Sequence, residues 1–332
     1  MNNTIFQDHS FGITTIDTGF MRPRFAASHL LIENNHAAYI DVGTTNEAPR
    51  LLDVLRQKNI PVENVDYVIV THVHLDHAGG AGKLMQVLPN ARLVAHPRGA
   101  RYMINPSKLV AGATAVYGEE VFQTYYGEVV PVAAERVINA DDEQVIDFQG
   151  RSLLFLDTPG HARHHFCIFD ERAKSFFTGD TFGISYKEFD LPRGRFIFAG
   201  TTPVQFDPLA MHHSINRLLS YDPDKMYLTH YGEVTDIVRL ADKLHDSIDK
   251  QVALMESVAN SGEERHTLLY KGIMSAFLDE LQQLGCTLPT QTCRNLLASD
   301  VELNAQGLEI WWDKGLQKKS PPCINGTHDS SR

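Results

Sequence analysis

The stretch Thr71-His-Val-His-Leu-Asp-His-Ala-Gly-Gly80 constrains this chain more than any other. It sets His72, His74, Asp76 and His77 directly after the apolar run Asp66-Tyr-Val-Ile-Val70, which reads as a buried strand. A strand tip that opens into imidazoles and a carboxylate suits a catalytic metal site. Those are the donors that a borderline or hard divalent ion prefers. His72 and His74 alternate by two, so both can point the same way from extended backbone. His77 must come from the turn that follows. The bland alternative is a polar loop of incidental histidines, but such a cluster is costly to bury without a cation.

Around this loop the chain alternates strands and helices. Strands are expected over 11–16, 29–32, 37–40 and 66–70, with helices over 46–58 and 79–88 and a further strand over 91–95. That order is the α/β signature. Residues 107–126 have apolar positions at helical spacing, interrupted by Gly112 and Gly118, and read as one or two helices outside the sheet. Strands resume from 137 to 178, followed by a long loop over 181–206, a helix over 208–220 and a last strand over 225–229. Residues 236–298 carry Leu240, Leu244, Ile248, Val252 and Met255 on one helical stripe. The expected organisation is a body over 1–235, a helical C-terminal subdomain over 236–316 and a disordered tail over 317–332.

Composition narrows the function. With 332 residues and a formal net charge of −11, a nucleic-acid-binding face is disfavoured. The N-terminus lacks a basic stretch followed by an apolar one, and no apolar run approaches the length of a membrane span, so a cytoplasmic protein without a membrane partner is expected. Cys167, Cys286, Cys293 and Cys323 show no spacing of a disulfide or zinc framework.

Three further donors stand just past expected strands. His161 follows Phe155-Leu-Asp-Thr-Pro-Gly160, Asp180 follows Phe176-Phe-Thr-Gly179, and His230 follows Met226-Tyr-Leu-Thr229. Donors at the carboxyl ends of strands converge on one edge of a sheet. Any one alone is weak; four segments supplying five histidines and two aspartates are a strong signal.

With those motifs in order, residues 11–235 resemble the metallo-β-lactamase superfamily. The matching residues are His72-x-His74-x-Asp76-His77, His161 in Thr-Pro-Gly-His, Asp180 in Thr-Gly-Asp, His230 in Leu-Thr-His, and Asp41 in Tyr-Ile-Asp-Val-Gly. The resemblance implies an αββα sandwich, here with a C-terminal helical extension, and a site for two divalent metal ions. Zinc is the first expectation, with iron or manganese as alternatives. One ion would take His72, His74 and His161, the other Asp76, His77 and His230, and Asp180 would bridge them. Asp76 is also expected to hydrogen-bond the hydroxide that the two ions share and activate. Asp41 and His165 are expected to orient the ligands from behind.

The expected activity is hydrolysis of a small ester, thioester or lactone. An Asp at the bridging position argues against antibiotic hydrolysis, because true β-lactamases of this fold carry Cys or Ser there. Tyr186, Arg193 and Arg195, in the loop after Asp180, are the candidate substrate contacts. The rival reading is a non-hydrolytic di-iron protein that binds oxygen or handles redox chemistry, since the same donors suit iron. A binding module that has lost turnover is a third. The amphipathic C-terminal helices could cap the site or pair two subunits in a homodimer.

Overall fold

The structure, a computed structural model, describes residues 5–319. The expected tail therefore falls, from residue 320 on, outside the described residues. The first half of the chain lays down β1 (Phe6–Asp8), β2 (Ile13–Asp17), β3 (Ala27–Glu33) and β4 (His36–Ile40), then α1 (Ala48–Gln57) and β5 (Val65–Ile69). After it come α2 (Leu75–Ala78), α3 (Ala81–Val87), β6 (Arg92–Ala95), α4 (Pro97–Ile104), α5 (Ser107–Tyr117), α6 (Glu119–Tyr125) and β7 (Val137–Asn139). These seven strands form one sheet in sequence order, antiparallel through β4 and parallel from β4 to β7.

The second half adds β8 (Val145–Phe148), β9 (Arg151–Asp157), β10 (Phe166–Asp170) and β11 (Ser175–Gly179). A small hairpin, β12 (Asp190–Leu191) with β13 (Gly194–Arg195), interrupts the loop that follows. Then come α7 (Pro208–Leu219), β14 (Lys225–Leu228), β15 (Gly232–Val234), α8 (Ile237–Val258), α9 (Arg265–Gln283) and α10 (Thr290–Lys319). The second sheet runs β15-β14-β11-β10-β9-β8.

Period-two alternation stacks the layers. In β4, Ala38 and Ile40 join Phe155, Phe166, Ile168 and Phe177 between the sheets, while Tyr39 turns outward onto Leu51 and Leu55 of α1. In the second sheet Cys167, Phe176 and Met226 face outward instead and meet α7 to α10. The result is an αββα sandwich with helices on both outer faces. The C-terminal helices share a core with the second sheet, since Leu240, Leu244, Phe277 and Leu308 belong to the same buried cluster as Phe176 and Met226. Among the described residues no helix is long and apolar enough to cross a membrane.

Local chemistry explains where the elements differ from expectation. Residues 107–126 form two helices, within the one or two expected, with Gly118 at φ 84° separating α5 from α6; the addition is α4, which Pro97 opens in its first turn. The helix expected over 79–88 is α3, and a further short helix, α2, precedes it across Gly79-Gly80. The last helix runs on to Lys319. Cys286 and Cys293, which spacing alone does not pair, are free thiols with sulfurs 3.8 Å apart.

Phe277 of α9 links the helices to the loop after Asp180: its ring lies 4.8 Å from that of Phe198 and 5.5 Å from that of Phe196. Phe277→Ala should therefore lower stability by about 3–5 kcal/mol. Urea denaturation read by circular dichroism checks this; a loss below about 1 kcal/mol would mean that the helices pack without this ring.

Candidate metal centre

Strand direction brings the donors together. β10 is antiparallel to both β9 and β11, and β14 is parallel to β11, so β9, β11 and β14 all point the same way. Their carboxyl ends release the loops bearing His161, Asp180 and His230. Two backbone bonds tie this edge to the first sheet, Phe166 N–H to Thr71 O at 2.9 Å and Ala27 N–H to Thr229 O at 2.8 Å. Two glycines make the approach feasible. Gly179 has φ +48°, and a Cβ there would stand 2.5 Å from Thr71 Oγ1 and 2.6 Å from His165 Nε2. Gly160 has φ +137° and would put a Cβ 2.4 Å from Met211 Cα on α7.

The donors form two triads. His74 Nδ1 lies 2.9 Å from His72 Nε2 and 3.1 Å from His161 Nε2. Asp76 Oδ2 lies 3.5 Å from His77 Nε2 and 3.3 Å from His230 Nε2. Asp180 stands between them and presents Oδ2 to His161 Nε2 at 3.4 Å and Oδ1 to His77 Nε2 at 3.3 Å. Each triad keeps its ligand atoms within 4.8 Å of one another. Tetrahedral zinc with ordinary Zn–N bonds would hold its donors roughly 3.3 Å apart.

Hydrogen bonds on the far side of the rings decide which nitrogens stay bare. His77 Nδ1 donates to Asp41 Oδ2 at 2.8 Å, His161 Nδ1 to Gly200 O at 3.0 Å, and His230 Nδ1 to Phe25 O at 2.9 Å. A neutral imidazole carries one proton, so each of these three rings offers an Nε2 lone pair to the centre. His77 Nε2 and Asp180 Oδ1 are buried without a hydrogen-bond partner among the described residues. Buried orphans of this kind are rare, and a shared cation satisfies both. The residues fit two divalent ions.

Asp41 is fully buried at φ 51° behind the loop. It accepts from Thr71 N–H at 2.8 Å, from the Thr71 hydroxyl, from His77, and from Thr229 Oγ1 at 2.6 Å. His165 stacks on His72 at 4.8 Å between ring centres, and its Nε2 accepts from Asp180 N–H at 3.2 Å.

Burial disfavours the charged form of these rings and of the Asp76 and Asp180 carboxyls; it prevails at His72 and His74, and the surrounding charges overcome it at His77, Asp76 and Asp180. Burial and neighbouring imidazoles hold His72 and His74 well below the usual histidine range. For His77 burial also pulls downward, but Asp180, Asp76 and Asp41 overcome it and raise the ring well above that range. Burial lifts the Asp180 carboxyl, yet His77, His230 and His161 hold it well below the ordinary carboxylate value. Protonated rings and metal cations are thus alternative ways to balance Asp76 and Asp180.

The expected substrate contacts are not free side chains. Tyr186 is fully buried and its hydroxyl donates to Asp300 of α10. Its phenol is therefore committed to a helix partner and does not extend toward a substrate oxygen. Arg193 reaches the Gln283 carbonyl at 3.1 Å, and Arg195 pairs with Asp190 and donates to the Glu233 carbonyl at 3.0 Å. Both fasten the β12–β13 hairpin, whose formation the loop sequence did not announce.

Asp300 went unremarked in the sequence. Burial pushes its carboxyl up to about 7; the Arg22 charge opposes this, and Asp180 and Asp76 add to it. The available signal was a polar residue on the buried stripe Leu297, Val301, Ala305 and Leu308. Arg22 was also missed. Its guanidinium lies 4.4 Å from the ring centres of both Phe25 and Tyr186, and Phe25 packs 5.2 Å from His230.

Residues 21–230 match the family model described as Metallo-beta-lactamase superfamily. The chain is 25% identical over 228 residues to the metallo-beta-lactamase fold-containing protein ST1585 of Sulfurisphaera tokodaii, covering 68% of this chain and 80% of that protein. In the solved structure of ST1585 the likeness extends to 91% of this chain and 99% of the other, with a TM-score of 0.64. A metallo-beta-lactamase family protein of Thermus thermophilus matches with a TM-score of 0.63 at 17% identity, over 92% of this chain and 94% of the other. A hydroxyacylglutathione hydrolase of Aeromonas hydrophila is 24% identical over 236 residues, covering 70% of this chain and 72% of that enzyme.

Two outcomes follow from these environments. Asp41→Asn keeps the shape but removes the charge facing His77, and should weaken zinc binding about 10–100-fold. Competition against a chromogenic chelator measures this, and unchanged affinity would count against the role of Asp41. Asp300 has a folded value of about 7 against an ordinary 3.8. Its protonated form therefore contributes stability that is fully present below about pH 4 and is lost as pH rises through 7. Relative to Asp300→Asn, the wild type should lose stability between pH 4 and 7; parallel curves in urea melts would show that Asp300 does not titrate there.

Proposed function

The chain belongs to the metallo-β-lactamase superfamily, and on that premise we propose that it is a dinuclear metal-dependent hydrolase of a small ester, thioester or lactone. One observation carries the reading: Asp180 turns one oxygen toward each donor triad. His72, His74 and His161 would hold one ion, Asp76, His77 and His230 the other, and Asp180 both. When bound, the pair of ions would acidify a shared water and polarise the acyl oxygen of the substrate.

The chain's own residues supply the rest. Asp76 is the more exposed of the two central carboxylates, at 24% of its side chain against 6% for Asp180. It is thus the group that can meet both an ion and the attacking water, and its free lone pairs would orient that water toward the acyl carbon. Asp41 keeps His77 in the tautomer that leaves Nε2 bare. His165, accepting from the Asp180 N–H, holds the bridging carboxylate in register. Phe25 and the buried aromatic residues behind it keep bulk water from one side of His230. The relative named hydroxyacylglutathione hydrolase supports an acyl-transfer reading to water.

His72→Ala and Asp180→Ala should each lose metal and at least about 10³-fold in kcat/KM, while Asp76→Asn should lose about 10²–10⁴-fold. Elemental analysis of the purified protein with a panel of lactones, thioesters, phosphodiesters and β-lactams is the test. Zinc or manganese with ester or thioester turnover supports the proposal. Iron with a visible charge-transfer band and no turnover would replace it with the di-iron reading.

A further inference from the structure

A cleft of about 840 Å³ opens beside the metal centre, between α4, the His161 loop and the start of α7. Its walls include Arg98, Arg101 and Arg163, three guanidinium groups in a chain whose formal net charge is −11. Among the described residues none of the three forms an ion pair, as is also true of Arg24, Arg50, Arg92, Arg136, Arg193 and Arg294; what sets these three apart is that they line one concavity. Arg98 donates to the Arg163 backbone carbonyl at 3.0 Å, which holds the Arg98 guanidinium against the His161 loop. Arg101 donates to the Tyr102 hydroxyl at 2.8 Å, and Tyr102 lines the same cleft. Asp207 is the one carboxylate among the lining residues, and its Oδ1 caps α7 by accepting from Ala210 N–H.

His164 connects this cleft to the reacting centre. It lines the cleft, yet it is only 5% exposed, and its Nδ1 has no hydrogen-bond partner among the described residues. Its ring lies 5.7 Å from that of His74 and 6.3 Å from that of His72. A molecule seated against His164 is therefore one ring away from the donors of the first triad. The N-terminal ends of α4 and α7 border the same space and add partial positive charge.

The three arginines are exposed around one concavity, where solvent screens their mutual repulsion while leaving their N–H donors free to meet a common ligand. An oxyanion is the ligand that guanidinium groups bind through paired N–H donors. The volume suits a small molecule rather than a single ion. We propose that this cleft is an anion subsite that receives the phosphate of an acyl substrate whose reactive carbonyl lies at the metal centre. The inference rests on the hydrolase reading for the reactive end of that molecule and on the cleft alone for its anionic end. It narrows the substrate from any small acyl compound to one with a phosphorylated tail.

Calorimetry with 4′-phosphopantetheine and pantetheine tests it, because the two thiols differ only in the phosphate. The wild-type protein should bind the phosphorylated compound at least about tenfold more tightly, a gap of about 1.4 kcal/mol. Arg98→Gln/Arg101→Gln, and Arg101→Gln alone as a variant that keeps the Arg98–Arg163 bond, should shrink that gap severalfold while retaining the wild-type circular dichroism spectrum. Equal binding of the two thiols, no binding of either, or a gap unchanged in both variants would overturn the subsite. Turnover of the uncharged ester 4-nitrophenyl acetate by the wild type is read separately. Its absence would sink the hydrolase reading without touching the calorimetric result, and its presence with no phosphate preference would sink only the subsite.

Discussion

A single buried carboxylate, Asp41, carries the arrangement on which the site depends. It sits at the end of β4 and gathers donors from the tip of β5, from the metal loop and from the loop after β14. A fully buried carboxylate is expensive unless its lone pairs are filled. Here Thr71, His77 and Thr229 fill them, and each residue is positioned by doing so. The first sheet, the metal loop and the second sheet are thereby joined at one charge. Their relative placement is specified where the chemistry needs it.

That junction clarifies why a sandwich hosts the site. Neither sheet has all the donors: β5 delivers His72, His74, Asp76 and His77, while β9, β11 and β14 deliver His161, Asp180 and His230. The apolar layer of Phe155, Phe166, Ile168 and Phe177 against Ile40, Ile69 and Val94 sets the spacing of the two sheets. Interiors are packed too densely to let that spacing drift. The helical C-terminus extends the same logic outward, since α10 contributes Asp300 to Tyr186 and Asn304 to the backbone of Thr201, next to the His161 loop.

Charge is distributed with equal economy. The protein is acidic as a whole, and its central carboxylates would repel an anionic substrate. The arginine cleft supplies the opposite sign beside His164, a ring's width from the donors of the first triad. On the proposed reading, attraction at an anionic tail and reactivity at the carbonyl would separate binding from chemistry.

By itself the sequence determined the kinds of donor and their local setting. Strands of period two, turn-forming Thr-Pro-Gly and Thr-Gly segments, and histidines just beyond them are properties of neighbouring residues, so the α/β architecture, the helical C-terminal run and the candidate donors His72, His74, Asp76, His77, His161, Asp180 and His230, which the fold brings together, could be read directly. Only the tertiary structure decided what lies opposite what. Asp41 and Thr229 stand 188 positions apart, and Tyr186 and Asp300 are 114 apart. Arg98 meets Arg163 across 65. Such meetings depend on how sheets stack and helices dock, which no local periodicity encodes. For that reason Tyr186, Arg193 and Arg195 look available in the sequence and are committed in the fold, while the arginine cleft is invisible until the layers close.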